Sequence, residues 1–148
     1  MIFDFFDEIF KETGTVSNPI VEYSPLVLAY IGDAVYEVFI RSFIISGGNA
    51  SVHSLHSRSV AYVKAKAQSD IIHRIMNLLT AEEQDVVRRG RNAKSGTIPK
   101  NADVTEYKHA TAFETLIGYL YLKKDYIRLM HILKLSVCSS IESTSETE

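Results

Sequence analysis

Apolar side chains recur every three or four residues along most of the chain, and this spacing predicts helices rather than strands. No run of alternating polar and apolar residues is long enough for a β-strand. The sequence therefore predicts an all-α domain of six or seven helices. The expected helices cover residues 2–11, 25–45, 50–79, 80–89, 103–122 and 125–139.

Several helix boundaries carry recognisable signals. Ser24-Pro25 offers an N-cap followed by proline at the first helical position. The segment Thr80-Ala81-Glu82-Glu83 has the capping-box pattern, and Asp103 stands three residues before an acidic side chain in the same way. Glycine and proline predict a loop over 90–102. We expect one domain over 1–140 and a polar, disordered tail over 141–148.

Composition describes an ordinary globular domain. The chain has 148 residues, of which 46% are hydrophobic and 23% charged, enough for a single core. The single cysteine excludes an internal disulfide and favours a reducing compartment. The acidic first residues do not form a secretory signal, and no apolar run is long enough for a membrane span. We expect a cytoplasmic protein without a membrane partner.

Charge is unevenly distributed. The net charge is −2, yet the stretch 88–100 contains five basic residues and no acid, which leaves eleven basic against eighteen acidic residues elsewhere. Such a local patch is typical of a phosphate-binding surface. The alternative is a solvated, mobile loop without a ligand. The basic segment comprises Arg88, Arg89, Arg91, Asn92, Lys94 and Lys100.

Two acids lie in strongly apolar helices. Asp33 is the only charged residue between positions 23 and 36, and Glu114 is the only one between 110 and 122. A buried carboxylate must be neutralised, paired or bound to a cation. Gly32 and Gly118 flank the acids and would allow the two helices to approach closely. Oxygen ligands of this kind suit Mg²⁺ or Mn²⁺, and the alternative is a pair of buried ion pairs.

The helices that carry these acids resemble the two signature helices of the ribonuclease III family. Residues 28–37 read LAYIGDAVYE, similar to the family pattern E-F-L-G-D-A-V, and residues 111–122 read TAFETLIGYLYL, similar to D-x-x-E-A-L-I-G-A-x-Y-L. Two of the four acids of that pattern are absent, because Ala29 and Thr111 occupy their positions. We expect no double-stranded-RNA-binding domain. These departures, with the segment RRGRNAKSGTIPKN, resemble the compact Mini-III branch.

The resemblance implies an all-α ribonuclease III-like endonuclease. It implies a Mg²⁺-dependent homodimer that hydrolyses double-stranded RNA, leaves 5′-phosphates and trims large-subunit (23S) ribosomal RNA precursors. Carried over by position, Asp33 and Glu114 are the expected catalytic residues and metal ligands, with Mn²⁺ as an alternative cation. The basic segment is the expected RNA contact. The alternatives are a helical RNA-binding dimer without nuclease activity and a purely structural helical protein.

Overall fold

The fold is a bundle of helices, seen in a computed structural model that describes residues 4–15 and 19–145, with side chains for 5–15 and 19–138. Within these residues there are seven α-helices, two short 3-10 turns and no strand, which confirms the all-α prediction. The α-helices are α1 (Asp4–Glu12), α2 (Pro25–Ile45), α3 (Val52–Val63), α4 (Ala65–Ile75), α5 (Ala81–Asn92), α6 (Val104–Leu122) and α7 (Tyr126–Ser145). The 3-10 turns are Ile20–Glu22 and Met76–Leu78.

Helix α6 forms the centre of the bundle. Helices α2, α4 and α5 pack around it, and α7 also contacts it. Its side chains Phe113, Leu116 and Ile117 are fully buried, and Tyr36 of α2 meets Phe113 edge-on at 4.9 Å between ring centroids. Burial of each such side chain stabilises the fold by about 2 kcal/mol. Because neighbours surround α6, its sequence is apolar on nearly every side.

Two glycines let α2 and α6 touch at their backbones. A Cβ on Gly32 would lie 1.8 Å from the main-chain oxygen of Glu114, and a Cβ on Gly118 would lie 1.8 Å from that of Leu28. Neither distance is sterically possible for a real side chain. The predicted close approach at Gly32 and Gly118 is therefore confirmed.

The predicted N-caps are also confirmed. Ser24 Oγ accepts a hydrogen bond from the Val27 amide at 3.3 Å, and Asp103 Oδ1 accepts from the Glu106 amide at 3.0 Å. Thr80 exchanges both bonds of a capping box with a glutamate three residues later. Each cap satisfies amides that the first turn of a helix leaves free.

The single long helix predicted for 50–79 is wrong. The chain turns at Lys64, whose φ and ψ of −62° and 152° are extended, so that α3 ends at Val63 and α4 begins at Ala65. Gln68 Nε2 donates to the Val63 carbonyl at 3.2 Å, which satisfies an acceptor freed by the break. Neither glycine nor proline marks this joint, so the apolar periodicity continues across it.

The loop predicted to begin at Gly90 begins later, because α5 continues to Asn92. Gly90 is buried, and a Cβ there would lie 2.5 Å from Thr115 Oγ1 of α6. This glycine serves close helix packing and does not break the helix. Helix α7 likewise extends past the predicted end at 139 to Ser145, while residues 146–148 of the expected tail lie outside the described part; the domain boundary stays a prediction.

Helix α2 is central, yet it is not buried on every side, although its nearly continuous apolar sequence predicts burial. One face of it is open to solvent, and Tyr30 is 82% exposed there. This α2 face carries the exposed apolar side chains Val27, Tyr30, Val38 and Ile45, spaced as residues on one side of a helix. Among the described helices, none is long and apolar enough to cross a membrane.

Candidate active site

The two acids singled out from the sequence are neighbours at the α2–α6 crossing. The contact between Gly32 and the Glu114 backbone places Asp33 beside Glu114, although 81 positions separate the two acids in the chain. Asp33 is exposed and Glu114 is partly buried. Asp33 opens into the α2 groove, a surface depression lined by Tyr30, Ile31, Asp33, Ala34, Glu37 and Val63.

Partial burial disfavours the charged forms of both acids, and a neighbouring carboxylate disfavours each of them further. Burial, reinforced by the negative charge of Asp33, raises the pKa of Glu114 from 4.5 to about 8. Burial also raises the pKa of Asp33, and Glu37 adds a smaller upward contribution. Glu114 therefore holds its proton at neutral pH when no cation is bound. Strongly raised carboxyl pKa values in a cleft are typical of functional sites.

The alternative of buried ion pairs is not supported. None of the ion pairs formed among the described side chains involves Asp33 or Glu114. Glu37, one turn beyond Asp33, pairs instead with Arg41 at 2.9 Å on the surface of α2. Protonation of Glu114 or binding of an external cation is thus what offsets negative charge at the crossing.

The oxygen atoms at the crossing suit a single small divalent cation. Mg²⁺ accepts one or two protein carboxylates, keeps several waters and completes its shell with substrate phosphates. Asp33 and Glu114 supply two carboxylates, and the buried Gln68 Oε1 next to Glu114 has no hydrogen-bond partner. In the described part of the chain, no three His, Cys, Asp or Glu side chains cluster closely enough to form a larger metal site. The residues present fit one ion.

The positions of the two missing acids are occupied by side chains without charge. Ala29 is buried one turn before Asp33. Thr111, one turn before Glu114, donates its hydroxyl to the Tyr107 carbonyl at 3.0 Å. Neither residue replaces the lost carboxylate.

Gln68 is the polar residue at this site that the sequence pattern did not single out. It is only 1% exposed and lies near Glu114, whose pKa it lowers through a side-chain hydrogen bond. The sequence contains a signal for the burial of Gln68, because this residue stands three and four positions before the core residues Ile71 and Ile72 and so shares their helix face. A polar side chain at an apolar position of an amphipathic helix requires partners in the interior.

The basic segment is partly helical and partly neutralised, contrary to the expected open basic loop. Arg88 and Arg89 lie in the last two turns of α5, and both bind Asp85, which precedes the acid-free stretch. Arg91 Nε contacts Asn92 Oδ1 at 3.4 Å. Beyond α5, the connection carries the exposed lysines of the segment. Within the described residues, no ion pair involves Arg91, Lys94 or Lys100.

The basic segment and the two acids lie at the same height along the axis of α6. Gly90, between Arg89 and Arg91, packs against Ala112 and Thr115, the residues two before and one after Glu114. The structure thus places the basic segment and the two carboxylates beside the same stretch of the central helix.

Comparison with known proteins gives one consistent answer. Residues 26–125 match the Ribonuclease III domain family. A relative named Mini-ribonuclease 3 from Thermoanaerobacter sp. (strain X514) is 54% identical over 118 residues, covering 80% of this chain and 83% of the relative. Another of the same name from Clostridium tetani is 51% identical over 128 residues, covering 86% of this chain and 84% of the relative.

A solved structure shares the fold. A crystal structure of a protein from Fusobacterium nucleatum is similar to this chain with a TM-score of 0.75 and 36% sequence identity. The similarity covers 84% of this chain and 99% of that protein. The residues that match the Ribonuclease III domain family, 26–125, include the α2–α6 crossing and the basic segment.

Proposed function

The chain belongs to the ribonuclease III family of endoribonucleases, and on that premise we propose that it hydrolyses double-stranded RNA with a divalent cation held by Asp33 and Glu114. The observation that carries this proposal is the α2–α6 crossing. It brings two carboxylates from remote parts of the chain beside one groove, where no described cationic side chain pairs with either.

Each acid has a distinct part in holding Mg²⁺, or Mn²⁺ in its place. When bound, the cation lowers the pKa of water and offsets charge on the phosphate. Asp33 is the exposed ligand that faces the groove, and Glu114 is the ligand partly buried behind it. Because Glu114 holds a proton up to about pH 8 without a cation, the binding of the ion must release that proton. Metal affinity is therefore expected to rise with pH up to this value.

The basic segment is the proposed RNA contact. Duplex RNA is recognised through phosphates and 2′-hydroxyls across its wide minor groove, which suits arginine and lysine side chains without a base-reading helix. Arg91, Lys94 and Lys100 carry the free charge, while Arg88, Arg89 and Asn92 complete the surface. Hydrolysis is expected to leave 5′-phosphate and 3′-hydroxyl ends, and binding is expected to weaken steeply with salt.

The α2 face supports a homodimer. Exposed apolar side chains spaced on one side of a helix are typical of a surface that another protein covers. Tyr30 belongs both to this face and to the α2 groove, so a second copy seated there would bring two active sites close together. Each site would then cut one strand of the duplex. Sedimentation that shows only monomer at micromolar concentration contradicts this part of the proposal.

The proposed cellular substrate is the precursor of 23S ribosomal RNA in the cytoplasm, as the sequence resemblance implies. A duplex built from the paired ends of that precursor is expected to be cut at defined positions. A scrambled duplex of equal length and base composition serves as the comparison. Equal rates and random positions on both duplexes contradict a role in ribosomal RNA maturation while leaving the nuclease activity intact.

The central experiment is cleavage of duplex RNA in Mg²⁺ or in chelator by wild type, Asp33→Asn and Glu114→Gln. We expect both variants to lose more than about a hundredfold in rate, since each removes a metal ligand. Asp70→Asn is the matched control, because Asp70 is an exposed carboxylate of α4 paired with Lys66. Cleavage that persists in chelator, or in either site variant, contradicts the proposed site.

A second candidate is a helical RNA-binding dimer without nuclease activity. The observation that favours it is the loss of carboxylates at Ala29 and Thr111, which leaves two acids at the site. The same experiment separates the two functions. Duplex binding by wild type without cleavage in either Mg²⁺ or Mn²⁺ supports the binding protein and contradicts the enzyme.

A further inference from the structure

Gln68 lies between the wall of the α2 groove and Glu114. Its side chain is 1% exposed, although an amide with both a donor and an acceptor needs partners when it is buried. Its Nε2 donates to the carbonyl of Val63, a residue that lines the α2 groove together with Asp33. The same amide group bonds the Glu114 carboxylate and lowers its pKa.

The bond to the Val63 carbonyl fixes the orientation of the amide. A carbonyl oxygen can only accept a hydrogen bond, so it must face the NH₂ group of Gln68 rather than the oxygen. The oxygen, Oε1, is left buried with no partner, and it is the only buried side-chain nitrogen or oxygen among the described residues in this condition. A buried acceptor without a partner is costly, and it attracts a cation or a hydrogen-bond donor.

We propose that Gln68 Oε1 belongs to the metal site and supplies a neutral oxygen to the divalent cation, directly or through one water that the ion retains. This inference rests on the proposed function, because it takes the cation of Asp33 and Glu114 as its starting point. Gln68 on α4 would thus supply one of the oxygen ligands that are missing because Ala29 and Thr111 carry no carboxylate. A neutral ligand adds coordination without increasing the repulsion between the two acids.

The proposed role of Gln68 also gives a reason for the interruption of the helix between α3 and α4. The break at Lys64 frees the Val63 carbonyl, which then holds the Gln68 amide in place. Ligands and their supports must be fixed in this way to hold a small ion well. The Gln68 amide, in the first turn of α4, thus contacts both the last residue of α3 and Glu114 in the middle of α6.

The test measures metal binding without RNA or catalysis. Mn²⁺ is titrated into the full-length protein, and the free ion is followed by electron paramagnetic resonance for wild type, Gln68→Met, Gln68→Glu and Asp33→Asn. Ser69→Ala is the matched control, because Ser69 is the next residue of α4 and is also buried. The melting temperature in chelator and in Mn²⁺ is recorded for each protein.

We expect Gln68→Met to weaken Mn²⁺ binding about tenfold or more, as loss of a supporting ligand does. Gln68→Glu keeps an oxygen at this position, so it is expected to bind Mn²⁺ at least as tightly as wild type and to show a larger rise in melting temperature. Ser69→Ala should bind as wild type does. A purely structural role for Gln68 predicts instead that the methionine and glutamate variants behave alike.

Different results contradict the metal site of Asp33 and Glu114 and the role of Gln68 in it. Wild type that binds Mn²⁺ no better than Asp33→Asn contradicts the proposed metal site itself. Wild type that binds through Asp33, together with a Gln68→Met protein that binds equally well, overturns only the role of Gln68. Should the methionine variant not fold, a glutamate variant that binds more weakly than wild type overturns that role as well.

Discussion

Two regions lie beside the same stretch of α6 and differ in how tightly they are packed. One is the α2–α6 crossing, and the other is the basic segment at the end of α5 and in the connection that follows. At the crossing, two backbones touch, and Gly32 and Gly118 have no space for even one added carbon. In the basic segment, Arg88, Arg89, Lys94 and Lys100 are exposed, and Gly90 is buried against α6. The first region holds its two acids in place by close helix packing, and the second presents charge by exposure.

This difference sets how much each region tolerates change. The proposed metal site depends on geometry, so small shifts of α2 against α6 would separate Asp33 from Glu114. A phosphate-binding surface depends on the sum of several mobile charges, so each side chain contributes a fraction. Substitutions at the crossing are therefore expected to act abruptly, and those in the basic segment are expected to act gradually.

The largest expected effect follows from Gly118→Ala. The added Cβ would lie 1.8 Å from the Leu28 carbonyl oxygen, which belongs to a rigid helix and cannot move aside. We expect the helices to separate and the free energy of unfolding to fall by at least about 4 kcal/mol in urea titrations followed by circular dichroism. Gly96→Ala is the control, because nothing lies within 4 Å of its added Cβ. Equal stability of both variants would mean that the crossing is looser than described.

The next effect concerns the pH dependence of stability at Glu114. Its pKa in the fold is about 8, above the 4.5 of an unfolded chain, so the folded state holds the proton more tightly. The stabilisation is complete below pH 4.5 and is lost as pH rises through 8. In chelator, we expect wild type to lose roughly 4 kcal/mol more than Glu114→Gln between pH 5 and pH 9. Mg²⁺ should recover much of this loss at the higher pH.

Parallel pH profiles for wild type and Glu114→Gln in chelator would show that Glu114 titrates near its ordinary value. That result would place it in a wetter environment than the crossing provides. The crossing and the basic segment would then no longer differ in this respect, because both would hold their charges in solvent.

Much of the crossing could be predicted from the sequence because its signals are local. A single acid in an apolar helix marks both Asp33 and Glu114, and a glycine nearby marks each close contact. These cues need no knowledge of tertiary structure. Asp33 was nevertheless expected to be buried, and its exposure depends on which face of α2 the rest of the bundle leaves open.

What could not be predicted depends on partners remote in the chain. Gly90 reads as a helix breaker in sequence, and only its packing against Thr115 explains why α5 continues through it. The joint at Lys64 has neither glycine nor proline, and it is stabilised by Gln68 four residues later. Asp85 lies outside the acid-free stretch in sequence but within one helical turn of Arg88.

A smaller effect, on RNA affinity, is expected from the basic segment. Replacing Arg91, Lys94 and Lys100 together with alanine should weaken duplex binding about 10- to 100-fold and reduce the salt dependence by about two to three phosphate contacts. Anisotropy titrations at several salt concentrations, in the Asp33→Asn background, measure both quantities. Replacing Arg88 and Arg89 should cost less, since Asp85 already offsets their charge. The opposite ranking would show that RNA displaces Asp85 from its arginines.

The smallest predicted effect comes from removing the negative charge of Asp85, which offsets the charges of Arg88 and Arg89. Asp85 binds both Arg88 and Arg89, and these bonds lower its pKa. Asp85→Asn removes one negative charge and releases both guanidinium groups toward the RNA, so duplex affinity should rise about two- to fivefold and depend more steeply on salt. Gln84→Glu, which adds a charge at the neighbouring exposed position, should shift affinity slightly the other way. An unchanged affinity for Asp85→Asn would place Arg88 and Arg89 outside the contact and confine the RNA to the end of α5 and the connection that follows it.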